Sequence, residues 1–192
     1  MIGEGMGLPI LWLVVWADIG RLREDSSDSR DLVRGLLSQG FQALFVYRIF
    51  RWFYERGIPT QPFRFFIERL TEIVTGISIP ARAKIGKGLR IHHFGGIIIH
   101  SDAVIGEGCT IYHGVTLGDR GGWGGAPHIG NRVIIGAGAK ILGNVTVGDY
   151  CRIGANAVVR TSVPAGCIAV GIPAVVKEKL PQDEKPDCVT LS

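Results

Sequence analysis

No apolar run in this chain of 192 residues is long enough to cross a bilayer. The stretch from Leu8 to Ala17 spans ten residues, where a transmembrane helix needs about 20. Met1 to Gly7 carries Glu4 and no cation, so the stretch does not read as a secretory signal. It reads as a packing or interface segment, with a membrane-surface contact through Trp12 and Trp16 as the alternative. Cysteine is scarce too. The four are Cys109, Cys151, Cys167 and Cys188, which is no disulfide framework and no metal-ligand cluster. Reduced thiols fit a cytoplasmic protein, with the inner face of the membrane as a second possible station. A strong charge of either sign is missing as well. Lys and Arg total 21 against 17 Asp and Glu, for a net charge of +4 and a pI near 9.0. That balance is too weak to argue for nucleic acid. It suits an anionic small molecule or an anionic surface.

What the chain does have is a beat of six. Ile99, Ile105, Ile111 and Leu117 fall six apart. After a 12-residue step the beat resumes at Ile129, Ile135, Ile141, Val147, Ile153 and Val159. A shorter run, Ile85, Ile91 and Ile97, has the same period but sits two residues out of phase. Four places after each main beat comes a small or β-branched residue: Ala103, Cys109, Val115, Val133, Ala139, Val145, Cys151, Ala157 and Val163. Neither a helix nor an alternating strand has period six. Three flat six-residue faces per coil do, and they build a triangular β-helix with the aliphatic beat plugging its interior. Many of the 28 glycines follow a beat, where a tight corner is expected.

Four parts follow: a helical region at 1–76, coils at 77–175, an extruded loop at 118–128 and a polar tail at 176–192. Within the first, Asp28 and Ser29 predict the start of a helix running through Leu36, Phe41, Leu44, Trp52 and Phe53, ended by Gly57 and Pro59. Gly35 and Gly40 are its weak points. A second helix opens at Thr60 and Pro62, carries Phe63, Phe66, Leu70 and Val74, and closes at Gly76. The loop reads Gly118-Asp119-Arg120-Gly121-Gly122-Trp123-Gly124-Gly125-Ala126-Pro127-His128. Dense glycine out of register marks it as a place for function.

Several strings resemble serine O-acetyltransferases, a branch of the hexapeptide-repeat acyltransferases. They are Ala17-Asp18-Ile19, Gly40-Phe41-Gln42-Ala43-Leu44, Tyr47-Arg48-Ile49, Ala83-Lys84-Ile85-Gly86, Tyr112-His113-Gly114-Val115-Thr116-Leu117, Gly136-Ala137-Gly138-Ala139-Lys140-Ile141-Leu142-Gly143 and Gly171-Ile172-Pro173-Ala174. The resemblance covers roughly Ala17 to Val175. It implies a left-handed parallel β-helix with an N-terminal helical region, and acetyl-CoA as acyl donor, bound between neighbouring subunits of a homotrimer. It implies no metal. His93 matches the catalytic histidine, which would take the acceptor hydroxyl's proton as that oxygen attacks the thioester. Its neighbour His92 is expected to position it. Asp25 matches an acceptor-binding aspartate. Backbone contacts to the donor are implied at Ala137 and Ala155, with Arg152 near the phosphates. Lys177 or Lys179 stands in for an arginine that falls at Val175.

The chain departs from that pattern in four respects. The acid that orients the histidine falls at Ser78, and the aspartate beside the histidine is His92. An acceptor-pocket glutamate falls at Ser101. An Arg-His pair before the loop proline falls at Gly125-Ala126. An amino-acid carboxylate calls for a fixed cation, and Arg120, among glycines, is expected to have no fixed position. His92-His93 and Pro127-His128-Ile129-Gly130-Asn131 are similar to the colanic acid and exopolysaccharide acetyltransferases, whose acceptor is a sugar hydroxyl on a polysaccharide or its lipid-linked precursor. Trp123 would then stack on the sugar. The expected function is therefore acetyl transfer to a sugar hydroxyl in surface polysaccharide synthesis. L-serine acetylation for cysteine synthesis is the alternative, and an inactive hexapeptide scaffold is the third reading. The chain ends in Leu191-Ser192 rather than the isoleucine with which family members dock onto a sulfhydrylase, so no such complex is expected.

Overall fold

A computed structural model describes residues 8–24, 28–93, 95–121 and 125–178. The tail beyond Glu178, including Lys179, lies outside them. Among the described residues, four helices precede a parallel β-helix with three faces. Face A stacks β1 (Ile77–Ser78), β4 (Ile97–Ile99), β7 (Thr116–Gly118), β10 (Lys140–Leu142) and β13 (Val158–Val159). Face B stacks β2 (Lys84–Ile85), β5 (Val104–Ile105), β8 (His128–Ile129) and β11 (Thr146–Val147). Face C stacks β3 (Arg90–His92), β6 (Thr110–Tyr112), β9 (Ile134–Ile135), β12 (Arg152–Ile153), β14 (Cys167–Val170) and β15 (Val175–Glu178). All pairs are parallel except β14 with β15. The coil is left-handed, an exception to the crossover hand of ordinary parallel sheets.

The period of six is the interior of this prism. Ile111, Leu117, Ile135, Ile141 and Val147 are each fully shielded, and so are Ala103, Cys109, Val115, Val133, Ala139, Cys151 and Ala157. Register stacks like on like: Ile111 lies on Ile135, and Leu117 on Ile141. Burying each such side chain contributes roughly 1.5–3 kcal/mol. The small residues let the chain turn inward beside them. Burial pushes the Cys109 thiol up to about 11, as expected of a packing residue rather than a nucleophile.

The two-residue phase shift has a structural address. Ile91 and Ile99 are eight apart, whereas the residues they stack beneath, Ile111 and Leu117, are six apart. The two extra residues lie in the corner between β3 and β4. His93 stands there with φ +62, a left-handed backbone rare outside glycine.

The helices differ from the sequence expectation. Leu8 to Ala17 opens a full helix, α1 (Leu8–Glu24). The single helix expected from Ser29 is two, α2 (Ser29–Leu36) and α3 (Gln39–Glu55). The Ser38 hydroxyl accepts the Phe41 N–H at 3.3 Å, so a new N-cap interrupts the helix. A Cβ at Gly40 would lie 2.9 Å from Ile91. Gly40 is therefore the close-approach point of α3 on the β-helix. The last helix, α4 (Phe63–Thr75), ends on Gly76 with φ +66. At the other end, the tail expected from 176 begins as strand, because β15 folds back antiparallel on β14.

One buried ion pair locks the helices to the first coil. The Asp18 carboxylate accepts Arg48 Nε at 2.9 Å and the Gly88 and Leu89 N–H groups at 2.8 and 3.2 Å. Arg48 also donates to the Ile85 and Gly86 carbonyls. Thus Ala17-Asp18-Ile19 and Tyr47-Arg48-Ile49 are joining pieces of the scaffold. Among the described residues, no helix is long and apolar enough to cross a membrane.

Candidate active site

The corner between faces C and A gathers His92, His93, Tyr112 and His113. Strand register places Tyr112 on His92. Beyond that pair, the Gly114 N–H donates to Gly95, the Gly138 N–H to His113, and the Asn156 N–H to Ala137. Gly95, His113, Ala137 and Ala155 therefore climb one edge of the prism, rung by rung, at about 4.8 Å per rung. His93 projects from the lowest rung and is exposed. Its ring meets His113 edge-on at 5.7 Å and lies 6.1 Å from His92 and 6.3 Å from Tyr112.

The two adjacent histidines are not equivalent. His92 is half-buried and stacks flat on Tyr112, with centroids 4.8 Å apart and planes at 10°. Burial first, then the charges of Arg90, His93 and Arg21, bring His92 down to about 4. It is a neutral spacer at physiological pH. Nearby, the Lys140 ammonium bonds to the Gly114 carbonyl and, at 3.0 Å, to Thr116 Oγ1. It staples three residues of this corner.

The donor-side residues expected from the sequence fall on the same edge and its flank. Ala137 and Ala155 are one and two rungs above His113. Outside face C, register runs Arg90, Thr110, Ile134, Arg152, Ile168, Lys177. Arg152 and Lys177 thus stand two strands apart, beside the upper end of the Ala137–Ala155 edge. The arrangement is a ladder with an exposed imidazole at the bottom, small residues along the rail and cations at the top.

Among the described residues, the other positions singled out in the sequence do not join them within one chain. The loop leaves β7 at the corner between faces A and B, as does Ser101 after β4. Face A separates that corner from His93. Ser78 lies on face A and lines a cavity of about 190 Å³ with Glu68, Arg69 and Glu72 of α4. Arg120, expected without a fixed position, is held: its guanidinium donates to the Arg160 carbonyl and its chain lies against Gly143. Asp25 and Trp123 lie outside the described residues. His128 is on face B and exposed. Among the described residues, no group of three or more His, Cys, Asp or Glu could hold a metal ion.

Sequence reasoning passed over His113 as a site residue, although a signal existed. Ala137 and Ala155 are 18 residues apart, one coil of three hexapeptides. His113 lies 24 residues before Ala137, one coil plus the six residues that the loop adds to the beat.

A ladder of this kind on a hexapeptide coil defines an acyltransferase scaffold, and comparison with known proteins agrees. Residues 126–161 match the model of the bacterial transferase hexapeptide family (six repeats). The chain is 45% identical over 159 residues to the serine acetyltransferase of Helicobacter pylori, a match spanning 80% of this chain and 90% of that one. It is 42% identical over 139 residues to the serine acetyltransferase of Synechococcus elongatus, spanning 71% of this chain and 56% of that one. It superposes on a crystal structure of Brucella abortus serine acetyltransferase in complex with coenzyme A, with TM-score 0.82 and 34% identity, over 90% of this chain and 69% of that one. The chain belongs to the serine acetyltransferase family. The chain spans just over half the length of the Synechococcus relative and nearly all of the Helicobacter one. These relatives overturn the sugar acceptor expected from the sequence. They give no support to a special closeness to the exopolysaccharide branch, because a handful of local departures is a weaker signal than 40–45% identity along most of the chain.

Proposed function

We propose that this protein is an L-serine O-acetyltransferase that takes its acetyl group from acetyl-CoA, on the path to cysteine. The observation that carries the reading is the C–A edge, which aligns His93 with the small-residue rail and the Arg152 and Lys177 cations, in a chain whose relatives are serine acetyltransferases. The donor supplies an activated acetyl group. Ala137 and Ala155 present backbone to its thiol arm, with only a methyl group beside each. Arg152 and Lys177 meet its phosphates. His93 removes the proton of the serine hydroxyl as that oxygen attacks. His92 packs on Tyr112 and fixes the turn that aims His93.

The missing acceptor groups come from a second copy in a homotrimer. The A–B corner of one chain meets the C–A corner of the next, bringing Arg120 and the loop to His93. The serine carboxylate then finds a guanidinium already held at Arg160. The test is thiol release from acetyl-CoA with L-serine and with a panel of sugars. Serine-dependent release is expected. Tight coenzyme binding without release on any acceptor would instead make the chain a binding scaffold.

A further inference from the structure

His113 is the second imidazole of this edge, and the proton balance of acetyl transfer leaves it a task. The acceptor O–H gives its proton to His93 while a C–O bond forms to the acetyl carbon. The C–S bond then breaks, and sulfur leaves as a thiolate that needs a proton. His93 sits at the acceptor end of the ladder. His113 is one rung nearer the donor-side rail, exposed, with its ring edge-on to His93 at 5.7 Å.

We propose that His113 is the general acid of the reaction, donating a proton to the departing thiolate. This rests on the acetyl-CoA reading above and extends it. The balance closes. His113 starts protonated and ends neutral, His93 starts neutral and ends protonated, and one proton passes back between the rings through a water. The sum is acceptor O–H plus thioester giving ester plus thiol.

Among the described residues, the other groups of this corner are committed elsewhere. His92 is stacked and half-buried on Tyr112 and holds no proton at neutral pH. The Lys140 ammonium is engaged by Gly114 and Thr116. The rungs above are Ala137 and Ala155. Among the described residues, the ring in contact with His113 is that of His93; the other ionisable groups of this corner are His92, Tyr112, which precedes His113 in the chain, and Lys140, bonded to Gly114 and Thr116.

The test is turnover across pH. In turnover with serine, His113→Gln should lower kcat about 10- to 100-fold with KM for acetyl-CoA within about threefold, and should remove the alkaline limb of the rate profile. An alkaline limb that survives in His113→Gln overturns the proposal. So does an unchanged kcat. Absence of coenzyme binding by the wild type overturns both this and the acetyl-CoA reading. His113-dependent thiol release with another acceptor but not with serine leaves the acid assignment standing and removes serine as acceptor. Circular dichroism confirms that each variant is folded.

Discussion

His92 and His93 share a chemistry and differ in what surrounds them. His93, at a left-handed corner, is exposed and meets only aromatic rings among the neighbours described. Replacing it by alanine should lower thiol release by about 10²- to 10⁴-fold, as loss of a general base does. Coenzyme affinity, measured by calorimetry, should stay within about twofold, because Ala137, Ala155, Arg152 and Lys177 are untouched. His92→Ala should cost less. His92 has a different consequence, for stability. Its folded value near 4 lies below the ordinary 6.5, so the unfolded chain binds the proton more readily. The stability it contributes is complete above about pH 6.5 and is lost as pH falls toward 4. In urea titrations the wild type should weaken over that window more than His92→Gln does. Parallel pH dependence of the two would refute the assignment.

Among the elements, the joint between α1, α3 and the first coil carries the most concentrated polar energy. Arg48 and Asp18 are both almost fully buried, with side chains 5% and 2% exposed. Removing one partner strands the other, at a cost of about 3–5 kcal/mol. Arg48→Met should therefore destabilise the protein by that order in chemical denaturation. The double variant Asp18→Leu/Arg48→Met should recover part of the loss, since no charge is then left unpaired. A single variant as stable as wild type would show that the joint is held by packing alone. The same paragraph of structure explains why these strings are so recognisable: each carries a group that the β-helix backbone of residues 85–89 requires.

Across the whole molecule, two features call for further copies of the chain. The acceptor corner and the base corner lie on opposite sides of face A. On α4, Phe63, Phe66, Leu70, Ile73 and Val74 form an exposed stripe at helical spacing, and Ile98 is exposed on face A. Apolar surface of this extent marks an interaction site. Light scattering should report a trimer. Co-expressed His93→Ala and Arg120→Ala chains, each inactive alone, should regain serine-dependent activity in mixed trimers, where one interface holds both native residues. A fully active monomer, or no recovery on mixing, would show that one chain holds a whole site.

The sequence by itself determined the prism. A buried residue every six positions admits one architecture, because each of three faces needs one inward plug per coil, and no helix or alternating strand buries that set. It also carried the family, through strings whose side chains bond to the backbone. Two matters lay beyond it. The break at Ser38 depends on Gly40 meeting Ile91, a contact between residues 51 apart in the chain. The company of His93 depends on how two extra residues settle in one corner, which turns a six-residue beat into an edge where His113 overlooks the base. The acceptor was misread for a related reason. What Ser78, His92, Ser101 and the Gly125-Ala126 pair do is set by which corners meet, and a linear pattern does not record distances across faces.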